Sequence, residues 1–341
     1  MLSRRSCLLG VAVAVSGCAG ESPRQPAPAV PVAAAPPAAP PVGAVPFNAF
    51  LDDVARQARQ QGIGAATIDA AFAGVHANER VIALDQRQPE FTQTWAQYRA
   101  ARLSPARIKA GRAAYARNEA TFSQISARFG VPTPVLLGIW GLESNYGAST
   151  GGFGVVEALA TLGWEGRRAS FFRGELLSAL RILDHGDITT AHMTGSYAGA
   201  MGQPQFMPSS YLRYAVDIDG DGRRDIWAST PDVLGSIGNY LASSGWRAGQ
   251  GWGEAVRVPA GLDPSLIGRE HPRTLSAWRA LGVRPIGGQG LGAAQSAALV
   301  MPGGAGGEGF LVASNFNAIR RYNPSDFYAL AVALLGEAVL A

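Results

Sequence analysis

Glu143 is the only acid in the apolar run Val135-Leu-Leu-Gly-Ile-Trp-Gly-Leu-Glu-Ser-Asn-Tyr-Gly147. Pro132-Thr-Pro134 predicts a helix start with Thr133 as N-cap and Pro134 at the first helical position. Gly147 is the natural stop. Glu143 then sits in the last turn, facing the negative end of the helix dipole, with Ile139 and Trp140 on its own face. Both effects disfavour the carboxylate and raise its pKa, as a general acid requires. A partly exposed Glu near a helix end is also ordinary, so position alone leaves both readings open. Ser144 follows the acid and can orient it.

A second group lies in Gly195-Ser-Tyr-Ala-Gly-Ala-Met-Gly-Gln-Pro-Gln-Phe-Met-Pro-Ser-Ser-Tyr211, which holds no acid or base. Small residues allow close backbone approach, Ser196 and Gln205 offer hydrogen bonds, and Tyr197 and Phe206 offer flat surface. That chemistry suits a sugar. Met201, Phe206 and Met207 read better as core.

Asp217-Ile-Asp-Gly-Asp-Gly-Arg-Arg-Asp225 spaces Asp217, Asp219, Asp221 and Asp225 as in a calcium loop, with Gly222 for the tight turn and Arg223 to offer a carbonyl. The closing acid is missing, because Ala228 stands at the twelfth position, and Asp232 lies four residues further on. The alternatives are a structural Ca2+ site and an Asx-rich turn. The four histidines (His76, His185, His192, His271) show no ligand spacing, and no nucleophile-elbow signature appears.

The elements that must position these groups are mostly helical. Phe47–Gln60 places Phe50, Leu51, Val54 and Ala58 on one side. Thr67–Ala73 and Pro89–Leu103, with Phe91, Trp95 and Tyr98, read as helices. Ser104-Pro105 caps Ala106–Phe129, with a break near Asn118. Val155–Leu162, Arg168–His185, Ser210–Val216 and Pro231–Gly245 complete the helical part. After Gly249, short strands at Glu254–Val258, Leu281–Gly287, Ala297–Met301 and Gly309–Ala313 alternate with Gly-rich turns. A small helix at Thr274–Leu281 and an apolar helix at Asp326–Val339 close the chain. The expected fold is therefore mainly α: a helical body over residues 47–250 and a small mixed α/β region over 251–341 packed on it.

The first eighteen residues read as an export signal, with Arg4 and Arg5 before the apolar Leu8–Val15 stretch. That stretch is too short to span a bilayer. The arginine pair resembles a twin-arginine signal, and Val15-Ser-Gly-Cys18 resembles a bacterial lipoprotein box with Cys18 as the lipidated residue. Ordinary cleavage with Cys18 incidental is the alternative. Residues 19–46 are Pro/Ala-rich and form an extended tether. With Cys7 lost in the signal and Cys18 lipidated, no disulfide framework is available. The net charge of +4 falls to about +2 without Arg4 and Arg5, too weak a bias to argue for nucleic acid.

Taken together, the chain resembles the membrane-bound lytic murein transglycosylases of the B type, glycan-cleaving enzymes with a lysozyme-like core. The resemblance runs from about Phe47 to the C-terminus. It rests on Gly138–Gly147, Ala158–Leu162 before Arg167-Arg168, Phe171-Phe-Arg-Gly-Glu-Leu176, Gly195–Ser210 and Ser314–Pro324. It implies Glu143 as the single catalytic acid/base. It also implies glycan contacts from Ser196, Gln205, Asn315 and Tyr322, with Tyr197 and Tyr211 lining the groove. Asn315 and Tyr322 read, by sequence, as spaced along a turn before the closing helix.

The implied reaction is non-hydrolytic cleavage of the β-1,4 bond between N-acetylmuramic acid and N-acetylglucosamine in peptidoglycan, leaving 1,6-anhydromuramoyl ends. A hydrolase normally needs a second carboxylate at about 5–5.5 Å or about 6.5–9.5 Å. Glu157 and Glu165 fall in or after the next helix, and Glu175 reads as helix surface or an ion pair. A lysozyme-type hydrolase and an inactive glycan-binding lipoprotein are the alternatives. The reaction as implied needs no cofactor. The expected setting is a monomer on the periplasmic side of the outer membrane, acting on glycan strands; partners in wall synthesis are left open.

Overall fold

The computed structural model describes residues 45–86, 93–287 and 290–341, which fall in one compact unit. The expected signal, Cys18 and Phe91 lie outside these residues. Helix α1 (Phe47–Gln60) buries Phe50, Val54 and Ala58, the stripe its sequence repeats. Helices α2 (Ala65–Phe72) and α3 (Glu79–Gln86) follow; the second of these was not legible in the pattern. Helix α4 (Trp95–Arg102) begins at a capping box between Thr94 and Gln97. Helix α5 (Pro105–Phe129) starts where Ser104 accepts from Arg107 N. It kinks at Asn118 (φ −130°), whose side-chain amide donates to Ala114 O at 2.8 Å.

Helix α6 (Thr133–Ser144) carries the acid. Its N-cap is Pro132 and not Thr133; the Thr133 hydroxyl instead shares a 3.1 Å hydrogen bond with Ser126. The helix also stops before Gly147, because Asn145 and Tyr146 enter the left-handed region at φ 50° and 59°. Asparagine tolerates that region through its short polar side chain.

A two-stranded ladder of β1 (Phe153–Gly154) and β2 (Thr194–Gly195) brackets α7 (Val155–Glu165) and α8 (Ala169–His185). Helices α9 (Pro208–Tyr214) and α10 (Thr230–Ser243) complete the part before residue 250. The five-stranded antiparallel sheet has the order β4 (Arg273–Thr274), β6 (Ser296–Val300), β7 (Gly309–Val312), β3 (Gly253–Arg257), β5 (Arg284–Gly287). Helix α11 (Leu275–Ala280) plugs one face with Trp278, fully buried. The expected turn at residues 313–323 is instead helix α12 (Ser314–Tyr322), followed by α13 (Asp326–Leu340).

Three apolar clusters hold the unit. One joins α5, α6, α10 and α13 with Trp252, Val300, Phe310 and Val312 of the sheet region, so residues on both sides of position 250 share a core. A second joins α1, α2, α7, α8 and the loop residues Met201 and Phe206, as expected of the two as core. A third lies around Trp278. Helices α6 and α13 pack with their backbones in near contact: a Cβ on Gly138 would overlap Val332 O, and one on Gly336 would overlap Pro134 O. Among the described residues no single helix is long and apolar enough to cross a membrane.

Candidate active site

The close packing of α6 on α13 brings Tyr328, in the first turn of α13, to Glu143 in the last turn of α6. The Tyr328 hydroxyl donates to Glu143 Oε1 at 2.5 Å. Burial pushes the Glu143 carboxyl up to about 7, against the opposing effects of the Tyr328 hydrogen bond and the more distant Arg102 charge. Burial is the cause that dominates. Of the described residues, Tyr328 and Arg102 are the groups that act on its ionisation, and no second carboxylate is among them. Burial, with the charge of Glu143 adding to it, raises Tyr322 and Tyr328 well above the usual phenol range, which places both near the acid. Sequence reading missed Tyr328. Its signal was there: a phenol is the one polar side chain in Phe327-Tyr-Ala-Leu-Ala-Val-Ala-Leu-Leu335.

The turn after Glu143 is pinned from within. Ser144 is buried; its hydroxyl donates to Trp140 O and accepts from Gly147 N at 3.0 Å. It therefore holds the helix end through backbone partners and is not open to a substrate. Trp140 donates through Nε1 to Gln203 Oε1 at 2.7 Å, and Gln203 Nε2 donates to Trp227 O at 2.8 Å. Gln203, which sequence reading passed over, thus ties the Gly-rich loop to the acid's own helix.

The loop is folded tightly on itself. Met201 bridges both Gly195 and Phe206, and Ser196 Oγ accepts from Ala200 N at 3.1 Å. Gln205 adopts φ 53° and donates to Thr150 O and Gly202 O. Ser196, Tyr197 and Gln205 remain partly exposed. Tyr322 donates to Pro204 O at 2.6 Å and its ring packs on Tyr240 and Phe206 at 4.6 and 5.8 Å. The expected residues Glu143, Tyr322 and the Gly-rich loop therefore do converge.

Two expected glycan contacts do not. Asn315 is fully buried; its Oδ1 accepts from Arg247 N, and its Nδ2 donates to Arg247 O and Gln250 O. Both donors and the carbonyl oxygen of that amide are used to clamp the 247–250 segment. Tyr211 is also fully buried and donates to Arg224 O at 2.8 Å. Glu175 is buried as well, and not on a helix surface: its two oxygens accept from Ser209 N and Ser209 Oγ, capping α9.

In the acidic loop, carboxylate oxygens of Asp217, Asp219 and Asp221 lie within 4.8 Å of one another. Asp217 accepts from Gly220 N and Gly222 N, both glycines having positive φ, which preforms the turn. Asp225 turns to the backbone of Trp227 and Ala228. The deeply buried Asp232 does reach the loop, accepting from Ile218 N at 2.7 Å and Asp225 N at 2.8 Å, so it fastens both ends. Three converging hard oxygen donors fit a cation of the calcium type, while the loop offers no acid at the closing position.

Residues 46–337 match the family described as the transglycosylase SLT domain. The membrane-bound lytic murein transglycosylase B of Escherichia coli (strain K12) is 37% identical over 249 residues, covering 72% of this chain and 67% of that protein. SltB3 from Pseudomonas aeruginosa, solved in complex with NAG-anhNAM-pentapeptide, is 45% identical with a TM-score of 0.83, covering 86% of this chain and 80% of its own. Escherichia coli Slt35, solved in complex with calcium, is 31% identical with a TM-score of 0.72 over 86% of this chain and 92% of its own. With the helical core, the half-buried acid and the folded Gly-rich loop all present, this chain belongs to the transglycosylase SLT domain family.

Proposed function

We propose that Glu143 serves this enzyme twice, first as acid and then as base. The enzyme is a lytic transglycosylase that acts on the glycan chain of peptidoglycan and leaves a 1,6-anhydromuramoyl end. The single observation that carries the reading is the Glu143 carboxyl, held near neutrality with a phenol as its hydrogen-bond partner and, among the described residues, no carboxylate acting on its ionisation.

Protonated Glu143 donates to the β-1,4 glycosidic oxygen as the C1–O bond breaks. The muramoyl N-acetyl oxygen attacks C1 as positive charge develops there. Glu143, now a carboxylate, takes the proton of the C6 hydroxyl, whose oxygen closes on C1 and releases the N-acetyl group. The proton returns to Glu143 and no water enters. A pKa near the working pH lets one group hold and accept a proton in turn. Exclusion of water and a fixed sugar pose must then come from the groove. Ser196, Tyr197, Gln205 and Tyr322 contact the glycan in this reading, while Ser144 and Tyr211 support the groove from within and Asn315 holds the 247–250 segment.

A structural calcium held by Asp217, Asp219 and Asp221 would fix the loop after α9, with Arg223 and Asp225 contributing through backbone or water. It takes no part in proton transfer. Residues 1–18 are the signal, Cys18 bears the lipid, and residues 19–46 tether the catalytic body (47–250) and the α/β region (251–341), as a monomer, to the periplasmic face of the outer membrane. The twin-arginine route is the proposed export path.

Replacing Glu143 with Gln tests the central assignment. Release of soluble muropeptides should fall by about 10²-fold or more while binding to insoluble peptidoglycan persists. Unchanged release would contradict the mechanism.

A further inference from the structure

A cavity of about 200 Å3 lies at the far end of the α6–α13 pair from Glu143. Pro132 and Pro134 border it from the start of α6, and Glu337 borders it from the last turns of α13. It is therefore roughly 13 Å of helix away from Glu143 and from Tyr328, by the helical rise. Trp246 and Trp252 form further walls, and Gln250 closes the rim. We propose that this cavity is a binding site for a small organic cation, a primary alkylammonium, held between the two indoles and the Glu337 carboxylate.

The carboxylate carries the argument. Glu337 Oε1 accepts from Trp252 Nε1 at 2.8 Å. Among the described residues Glu337 has no ion pair, and burial raises its pKa with only that indole opposing it. Arg112 reaches this helix end but donates to the carbonyls of Val339 and Ala338. Once ionised, a half-buried carboxylate with one indole donor and no ion pair keeps accepting capacity that a bound ammonium would use.

The walls select the kind of cation. A hard metal ion needs several oxygens, and the cavity offers one carboxylate. Indole and proline walls suit an alkyl stem beside an ammonium, and no described arginine lies over the ring of Trp246 or Trp252. The volume is below that of sites for larger molecules, so the ligand is short. The cavity is preformed. Buried Asn315 clamps Arg247 and Gln250 from behind, Gln250 pairs with Gly292 across the rim, and Trp246 Nε1 is fixed to Gly130 O at 2.9 Å.

Saturation-transfer NMR on the full chain at mildly alkaline pH, with n-butylammonium and its neutral counterpart butanol as probes, tests this. Transfer to butylammonium, saturable and well above that to butanol, is the expected result. Glu337→Gln keeps an oxygen for Trp252 and should weaken butylammonium binding by about tenfold or more while leaving the butanol signal unchanged. Equal transfer to both probes, transfer to neither, or undiminished binding by the variant would overturn the proposal. If E337Q does not fold, the comparison of the two probes on the unsubstituted chain decides it.

Discussion

Tyr328 donates a 2.5 Å hydrogen bond to Glu143 across 185 residues of sequence. The bond favours the carboxylate, whereas burial favours the neutral acid, and the balance sets the carboxyl at about 7. An acid that must become a base needs both influences. In the proposed mechanism burial readies the proton for donation, and the phenol supports the anion that receives the C6 proton.

Tyr328→Phe keeps the ring and removes the donor. Without that stabilisation of the anion, the Glu143 pKa should rise above about 7. Activity that needs the protonated acid falls as pH climbs through this pKa, so the alkaline limb of kcat/KM should move to higher pH. A hydrogen bond to a charged group predicts a shift of about one pH unit or more. The base step should slow as well, lowering kcat. A pH–rate profile with an unmoved alkaline limb would contradict this role.

Stability should carry the same signature. The folded pKa of Glu143 is raised from 4.5 to about 7, so the fold favours the neutral form. That contribution is present below 4.5 and is lost as pH rises through about 7. Glu143→Gln is neutral at every pH. Its thermal midpoint should match the parent's in acid and exceed it above neutrality, by at most about 3 kcal/mol in stability. Melting curves across this range give the comparison, and a gap that does not grow with pH would count against a raised Glu143 pKa.

The meeting of Glu143 and Tyr328 depends on how near α6 lies to α13. Gly138→Ala would drive a methyl group into Val332 O. Separation of the helices should cost about 3 kcal/mol or more in stability, and should lower activity by parting acid and phenol. Chemical denaturation measures the first effect. A fully stable Gly138→Ala variant would contradict the close approach.

Calcium should raise the melting temperature by a few degrees with kcat unchanged, if Asp217, Asp219 and Asp221 hold it as structural ligands. Asp219→Ala should abolish that rise. A melting temperature indifferent to calcium and to chelator would reduce the loop to a turn.

The helical body was legible because its signals are local: the Ser104-Pro105 start, the Asn118 break and the apolar stripe of α1. Glu143 was legible because an acid in an apolar run is conspicuous. Tyr328 and Gln203 were not, since their meaning lies in partners brought close by tertiary packing. Thr133 shows the limit of capping rules, because a hydroxyl bond to Ser126 replaced the expected cap. Asn315 and Tyr211 were placed at the glycan by resemblance alone; only burial reveals that their hydrogen bonds close inside the protein.

Mass spectrometry of the muropeptides released from purified peptidoglycan tests the central claim most directly. If Glu143 acts alone on a sugar that supplies its own nucleophile, the new ends are 1,6-anhydromuramoyl, lighter than reducing ends by one water. Products that carry reducing ends, with oxygen from labelled solvent water, would contradict it.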